Sequence, residues 1–289
     1  MKYLFLSLAL FTQLALASDA LTTDTMKVVF AKIDEKVLTH GKENVLVVFD
    51  IDNTILTAQN DLGSDQWYSW QEKIMTQPNC EPQCITKDVS KLIEAQGLLF
   101  TIGKMRPTEA DLPGMIKNLQ ASGIYVILLT SRGPDFRNVT DTALTKNGMN
   151  FASSTFNASA DVASTYLPYD INNIERAGLT PQDVQVAGLK AARPVTFMNG
   201  VYMTAGQNKG AMLKVLLNKY NKNFKAIVFA DDHQRHVDRM QAIMGNISDV
   251  TTYRYSQIDP AVQHFNESDK TQVTEQWYKL QATIKEIGF

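Results

Sequence analysis

Val45-Leu46-Val47-Val48-Phe49-Asp50-Ile51-Asp52-Asn53-Thr54 is the stretch that decides the fold. It opens with a continuous apolar run, which is typical of a central parallel strand buried on both faces. Two similar runs, 124–129 and 226–230, alternate with segments whose apolar residues have helical spacing. This alternation predicts an α/β sandwich built on a parallel sheet.

Residues 57–105 interrupt the alternation of strands and helices. They hold the aromatic cluster Trp67-Tyr68-Ser69-Trp70, two cysteines and a helical stretch near 86–96. We interpret this segment as a small, mainly helical insertion into a core made of residues 18–56 and 106–289. The aromatic side chains either pack inside the insertion, which is the commoner use of such clusters, or stack on a substrate ring.

The N-terminus predicts export. Lys2 precedes an apolar stretch, and Ala15-Leu16-Ala17 forms a small-residue cleavage site, so residues 1–17 read as a signal peptide. A membrane anchor fits less well, because the stretch is shorter than the ~20 residues that a span needs. We therefore expect a periplasmic or secreted protein with no stable membrane anchor after cleavage.

Cys80 and Cys84 are the only cysteines of the chain. In an oxidising compartment they are expected to form a local disulfide, although zinc binding is the alternative. The formal net charge is −2 and no basic block stands out, so nucleic-acid binding is not expected. Asn199-Gly200, between two β-prone arms, predicts a hairpin.

Polar residues follow the three apolar runs, and a lysine opens a later helix. In open α/β sheets, ligands bind beyond the carboxyl ends of the strands, so these residues are expected to meet. The candidate site residues are Asp50, Asp52, Thr130, Ser131, Arg132, Lys209, Asp231 and Asp232.

The aspartate pair suits phosphoryl transfer. Asp50 can attack phosphorus as a carboxylate nucleophile, and Asp52 can move the proton between the leaving oxygen and water. A hard divalent cation would screen the phosphate from the carboxylates. Alone, such a pair fits a calcium site or a turn cap equally well.

The other candidates have complementary chemistry. The hydroxyl of Thr130 and the N–H groups of the 130–133 turn can hold phosphoryl oxygens, and Lys209 can neutralise charge. Asp231 and Asp232 could complete a magnesium shell. Two histidines that come next, His233 and His236, leave zinc as a minor alternative.

Four motifs together resemble the haloacid dehalogenase-like hydrolase superfamily, in its phosphatase branch. They are Val-Val-Phe-Asp50-Ile-Asp52-Asn-Thr54, Leu-Leu-Thr130-Ser-Arg, Asn-Lys209-Gly and Val-Phe-Ala-Asp231-Asp232. The resemblance implies a Rossmann-like sheet, a cap formed by the 57–105 insertion and a β-hairpin flap. The stretch 63–67 and the Asn-Gly hairpin are similar to a group of uncharacterised exported bacterial members.

The resemblance also implies a role for each residue. Asp50 would be the nucleophile, Asp52 the general acid/base and Thr130 a phosphate ligand, with Ser131 and Arg132 binding substrate beside it. Lys209 would steady the charge. Mg²⁺ would be held by the Asp50 carboxylate, the Asp52 carbonyl and Asp232, with Asp231 less certain because the last motif departs from the usual form and places His236 at its second acid.

We therefore expect an exported, magnesium-dependent phosphatase that acts on a small-molecule phosphate ester through an aspartyl-phosphate. Asp52 favours phosphoryl transfer over dehalogenation, because dehalogenases lack an acid at that position. A phosphotransferase and a non-catalytic binding protein on the same scaffold are the alternatives, and the oligomeric state is open.

Overall fold

The computed structural model describes residues 20–156 and 165–288. Within them the strands are β1 Ala20–Thr23, β2 Val45–Phe49, β3 Leu56–Ala58, β4 Met105–Pro107, β5 Tyr125–Thr130, β6 Thr196–Met198, β7 Val201–Met203, β8 Ala226–Asp231 and β9 Asp249–Tyr255. The helices are α1 Met26–His40, α2 Asp65–Ile74, α3 Val89–Ile102, α4 Leu112–Ala121, α5 Arg137–Lys146, α6 Pro181–Ala187, α7 Lys209–Lys219, α8 Gln234–Met244, α9 Asp259–Glu267 and α10 Thr271–Glu286.

Seven strands form one sheet in the order β1-β9-β8-β2-β5-β7-β6. All neighbours are parallel except β6 and β7. Strand β2 is central, since Val47 pairs with Val126 on one side and Val228 on the other. The predicted α/β sandwich with a mainly parallel sheet is confirmed.

The apolar run in β2 serves both faces of the sheet. Val45, Val47 and Phe49 pack with α1 and α4 in one core layer, whereas Leu46 and Val48 pack with α7 and α8 in the other. All five side chains are fully buried. Burying each contributes about 1.5–3 kcal/mol, so this strand fixes the centre of the fold.

Apolar residues at helical spacing predict a helix from Pro107 to about residue 122, but the observed helix begins later. Pro107 ends β4 and pairs with Leu56 of β3, and the Thr108 N–H extends the contact by donating to the Ile55 carbonyl at 3.2 Å. The helix starts only at Leu112. Helical spacing of the apolar residues does not reveal a three-residue strand, which exists only because a distant strand lies beside it.

The predicted hairpin is present, with Asn199 and Gly200 both at positive φ, of 52° and 75°. Its expected role as a separate flap is wrong. Strand β7 pairs with β5, and β6 forms the edge of the main sheet. The buried side chains of Val201, Tyr202 and Met203 explain this, because they belong to the core rather than to a mobile arm.

The segment between β3 and β4 contains α2 and α3. Trp67 is 1% exposed, and the centre of its ring lies 6.4 Å from that of Trp277 in α10. The ring of Trp70 packs edge-on against Phe265 of α9. The aromatic cluster therefore packs against the C-terminal helices. A boundary between a core and an insertion over 57–105 stays a prediction.

The expected disulfide between Cys80 and Cys84 is confirmed, with their Cα atoms 5.2 Å apart. The predicted signal peptide, residues 1–17, lies outside the described residues. In the part of the chain that the structure describes, no helix has the length and apolar character needed to cross a membrane.

Candidate active site

The candidate residues meet at the carboxyl edge of three adjacent strands. Asp50 directly follows β2, Thr130 ends β5 and Asp231 ends β8. The Asp50 N–H donates to the Ala230 carbonyl at 3.0 Å, which extends the β2–β8 ladder to the acidic residue. The convergence expected from the strand pattern is therefore present.

Lys209 stands between two of the acids. Its Nζ lies 2.6 Å from Asp50 Oδ1 and 2.6 Å from Asp231 Oδ2, and its side chain is fully buried. It is the first residue of α7, which Asn208 caps by accepting from the Ala211 N–H.

The next residue explains how α7 comes close enough to place this lysine. A Cβ on Gly210 would lie 2.4 Å from the Arg239 carbonyl oxygen of α8. Only glycine permits that approach of the two helices.

The Asp231 carboxylate faces three hydrogen-bond donors. Besides Lys209, its carboxylate accepts from the His233 N–H at 2.9 Å and faces His236 Nδ1 at 3.1 Å. Burial opposes ionisation, but Lys209 and His236 outweigh it and hold the pKa of Asp231 well below its usual range. Its oxygens are therefore used mainly to hold neighbouring groups in place.

Asp50 and Asp232 are buried acids for which neighbouring positive charge does not offset the effect of burial. Burial raises the pKa of Asp50 to about 7 in spite of Lys209, and burial raises the pKa of Asp232 well above its usual range. Each of these two and Asp231 offers an oxygen within 4.8 Å of the others. An all-oxygen set with excess negative charge is the environment that a hard divalent cation prefers, so the residues present fit Mg²⁺.

The two histidines beside the site are held by carboxylates. His233 Nε2 lies 3.3 Å from Asp65 Oδ2, and this contact raises the pKa of His233 to about 9. Burial lowers the pKa of His236 to about 4, and its Nδ1 faces Asp231. His233 also forms a second group with Asp65 and Asp232, whose ligand atoms lie within 4.8 Å of one another, so this imidazole is itself placed to bind a metal ion.

Both carboxylate oxygens of Asp52 accept hydrogen bonds from Arg132. Nε of Arg132 donates to Asp52 Oδ2 at 2.8 Å and Nη2 donates to Asp52 Oδ1 at 2.7 Å. The arginine is 5% exposed. The sequence assigned Arg132 to substrate binding, but the structure directs its guanidinium at a carboxylate of the protein.

Thr130 and Ser131 line the turn after β5. The Thr130 hydroxyl oxygen accepts from the Arg132 N–H at 3.2 Å, so its O–H can donate to a phosphoryl oxygen. The Gly206 N–H donates to the Ser131 carbonyl at 2.8 Å. The segment that leads into α7 thus supports the turn.

Three residues that sequence reasoning missed complete the site. Thr54 accepts from the Asp232 N–H at 3.0 Å, and Asp65 reaches His233 from α2. Phe100 of α3 lies under the Arg132 guanidinium. Thr54 stood in the strand-end motif and Asp65 in the stretch 63–67, so both could have been proposed, whereas no local signal marked Phe100.

A cleft of about 590 Å³ opens beside Asp232 and His233. Its walls come mainly from α2 and α9, and they include Gln66, Trp70 and Lys73. This volume lies in the range of small-molecule sites.

A family model described as a protein of unknown function (DUF2608) matches residues 22–287. No curated protein and no solved structure matches the chain. The resemblance to the haloacid dehalogenase-like superfamily is therefore wrong as a family assignment. Its four motifs are short, and any parallel sheet that gathers acids and a lysine at one edge produces similar runs. The chain belongs to the DUF2608 family.

Proposed function

We propose that the protein hydrolyses phosphate monoesters with the help of a divalent cation, for which Mg²⁺ is the best candidate. The observation that carries the proposal is the buried lysine 2.6 Å from both Asp50 and Asp231, with Asp232 beside them, 3.9 Å from His233 Nε2. The same edge of the sheet presents a second acid, Asp52, and the hydroxyl of Thr130. Nucleophile, proton carrier and phosphate ligand are thus gathered in one place.

In the first step, an Asp50 carboxylate oxygen attacks phosphorus and the bond from phosphorus to the ester oxygen breaks. Oδ1 is bound to Lys209, and no hydrogen bond to Oδ2 is found among the described residues, so Oδ2 is the attacking atom. The reacting form carries a proton, taken from solvent, on an Asp52 lone pair that Arg132 leaves free, and Asp52 gives this proton to the departing alkoxide. The products are the free alcohol and an aspartyl-phosphate on Asp50.

In the second step, water attacks the phosphorus of the aspartyl-phosphate. Asp52, now a carboxylate, takes a proton from that water, and the bond between phosphorus and Asp50 breaks. Inorganic phosphate leaves and both aspartates return to their starting forms. Thr130 donates to a phosphoryl oxygen throughout, and Lys209 keeps Asp50 oriented.

The carboxylates of Asp50 and Asp232, with the backbone carbonyl of Asp52, would hold the cation. When bound, it supplies positive charge that lets phosphate approach the acids. We assign Asp231 to holding Lys209 and His236, because its oxygens already accept from them and from the His233 N–H.

The cap over this site is the segment 57–105. Asp65 and Phe100, which belong to it, contact the site residues His233 and Arg132. The cleft beside Asp232 has room for the alcohol part of a small phosphate ester.

Export to the periplasm or beyond is part of the proposal. Its support is the Cys80–Cys84 disulfide together with the cleavage pattern at residues 15–17.

The test is phosphate release by the purified protein from p-nitrophenyl phosphate and from an alkyl phosphate, with and without MgCl₂. We expect turnover that needs the cation and falls by about 10⁴- to 10⁶-fold in Asp50→Asn. Acid quenching with radiolabelled substrate should trap phosphate on the wild-type protein and not on Asp50→Asn. Asp111→Asn, an exposed acid of the same type, is the matched control.

Absence of turnover under all cation conditions, or full activity in Asp50→Asn, rejects the proposal. Cation binding without turnover would instead favour the non-catalytic alternative. Transfer of the phosphoryl group to an added alcohol in preference to water would identify a phosphotransferase.

A further inference from the structure

We propose that Arg132 is a positioning residue that orients Asp52 for proton transfer to the leaving group and does not bind the phosphate. This inference rests on the proposed function, because it assigns Asp52 the proton. It goes further by identifying the residue that fixes that acid and the part of the chain that supports it.

The first support is the geometry of the pair. The two donor–acceptor distances, 2.8 and 2.7 Å, join both carboxylate oxygens of Asp52 to one planar guanidinium. Such a fork fixes the plane of the carboxyl group as well as its position. An acid that must meet one leaving oxygen gains from this restriction.

The second support is the set of contacts that the other N–H groups of the guanidinium make. Nη1 donates to Thr140 Oγ1 at 2.9 Å, and Nη2 also faces the sulfur of Met105 at 3.3 Å. Four of the five N–H groups of Arg132 are therefore directed at protein atoms. A phosphate would have to displace Asp52 to be gripped by this arginine.

The third support is the aromatic face beneath the arginine. The guanidinium carbon lies 4.0 Å from the centre of the Phe100 ring, which itself meets Phe136 edge-on at 5.4 Å. Phe100 comes from α3, in the segment between β3 and β4. That segment therefore reaches Asp52 through one stacked side chain, which makes the orientation of the acid sensitive to how α3 packs.

The chemistry separates this role from phosphate binding. An acid that protonates the leaving oxygen matters most when that oxygen is a strong base, as in an alkyl phosphate. It matters little for p-nitrophenyl phosphate in the first step, because its leaving group departs as a stable anion, whereas the second step is the same for both substrates. Loss of a phosphate ligand affects both substrates equally, since both carry the same phosphoryl group.

The experiment compares KM and kcat/KM, which reports the steps up to formation of the aspartyl-phosphate, for the two substrates in wild type, Arg132→Ala, Arg132→Lys, Asp52→Asn and the double variant Asp52→Asn/Arg132→Ala. We expect Arg132→Ala to lower kcat/KM for the alkyl phosphate by about 10²-fold or more, with a much smaller loss of kcat/KM for p-nitrophenyl phosphate. KM for the alkyl phosphate should change little. The double variant should be no slower than Asp52→Asn alone, because the arginine acts through the aspartate.

Arg106→Ala, in an exposed part of β4, is the matched control. If Arg132→Ala fails to fold, Arg132→Lys and Phe100→Leu carry the test. Both substitutions retain a similar side-chain shape. Both should show the same dependence on the leaving group, with a smaller loss of rate than Arg132→Ala.

Equal losses on both substrates with a raised KM, or losses that multiply with those of Asp52→Asn, would show that Arg132 binds the phosphate and overturn the inference. Wild-type protein without turnover would overturn the proposed function and this inference with it. Wild-type turnover with equal losses overturns only the inference.

Discussion

The backbone N–H of Asp232 donates a hydrogen bond of 3.0 Å to the hydroxyl oxygen of Thr54. Thr54 comes after β2 and is fully buried, and Asp232 comes after β8. The bond therefore ties together the two turns that carry the acids of the site. A second bond, from the Thr108 hydroxyl to the Thr54 carbonyl at 2.7 Å, holds the threonine from the other side.

Replacing Thr54 with valine should weaken cation binding. Valine keeps the shape but removes the oxygen that accepts from Asp232, which leaves a buried N–H unpaired at a cost of about 1–3 kcal/mol. Loss of such outer support lowers metal affinity by about 10- to 100-fold. Calorimetric titration with MgCl₂ measures the change. Thr54→Ser, which keeps the hydroxyl, should bind almost as wild type; equal affinity in Thr54→Val would refute the link.

Asp232 should be a ligand of the cation. Asp232→Asn should abolish the rise in unfolding midpoint that MgCl₂ gives to wild type, since a ligand at 100 times its Kd adds about 2.7 kcal/mol of stability. The variant itself should fold well without the cation, because burial already disfavours the charged form of Asp232. Thermal unfolding with MgCl₂ and with a chelator tests this. An unchanged response to MgCl₂ in Asp232→Asn would place the ligand elsewhere.

Lys209→Met should destabilise the whole fold. It leaves Asp50 and Asp231 buried beside each other without their shared counter-charge, and breaking a buried pair in this way costs about 3–5 kcal/mol. Adding Asp231→Asn should recover part of the loss, because one of the two stranded charges is then gone. Chemical denaturation measures both. Lys117→Met, at an exposed position of α4, is the control and should change the free energy of unfolding by about 0.5 kcal/mol or less. Full additivity of the two changes would contradict the shared role of the lysine.

Local patterns were enough to predict the sheet and much of the site. The apolar run of β2 can only be buried on both faces, and the carboxyl edge of a parallel sheet must gather the residues that come directly after its strands. Asp50, Lys209 and Asp231 meet for that reason. The hairpin at Asn199-Gly200 was equally local, since two residues at positive φ suffice to turn the chain.

Features that depend on distant neighbours were not predictable. Arg132 was assigned to substrate binding beside Thr130, but its partner Asp52 is set by the register of β2 against β5. Pro107 carries helical spacing around it, but a strand lies beside it. The family assignment failed for a related reason: similar short motifs arise from the same geometry, and only the match over residues 22–287 identifies the family.

Removing the disulfide should cost little and leave the site intact. The loop between Cys80 and Cys84 is short, so the bond restricts the unfolded chain by only about 2 kcal/mol. The double variant Cys80→Ser/Cys84→Ser should therefore fold, with a lower unfolding midpoint and with wild-type cation affinity. Loss of cation binding in this variant would mean that the loop supports the site directly.

Stability should fall in acid partly through Asp183, which lies away from the site. Its Oδ2 accepts from Lys214 Nζ at 2.7 Å and from the N–H of Thr180 at 2.7 Å. Burial opposes its ionisation, but the hydrogen bonds from Lys214 and Thr180 outweigh burial and lower the pKa of Asp183. A carboxyl whose pKa is lower in the folded state stabilises the fold fully above its unfolded pKa, about 3.9.

That contribution disappears as pH falls through the lower, folded pKa. Asp183→Asn should therefore be less stable than wild type at pH 7, by about 0.5–2 kcal/mol for a lost helix cap, and the gap should close below about pH 4. Urea denaturation across pH 2–7 measures the gap, with Asp111→Asn, at an exposed position, as the matched control. A gap that stays constant down to pH 2 would show that the charge of Asp183 contributes nothing and that only its shape matters to the cap.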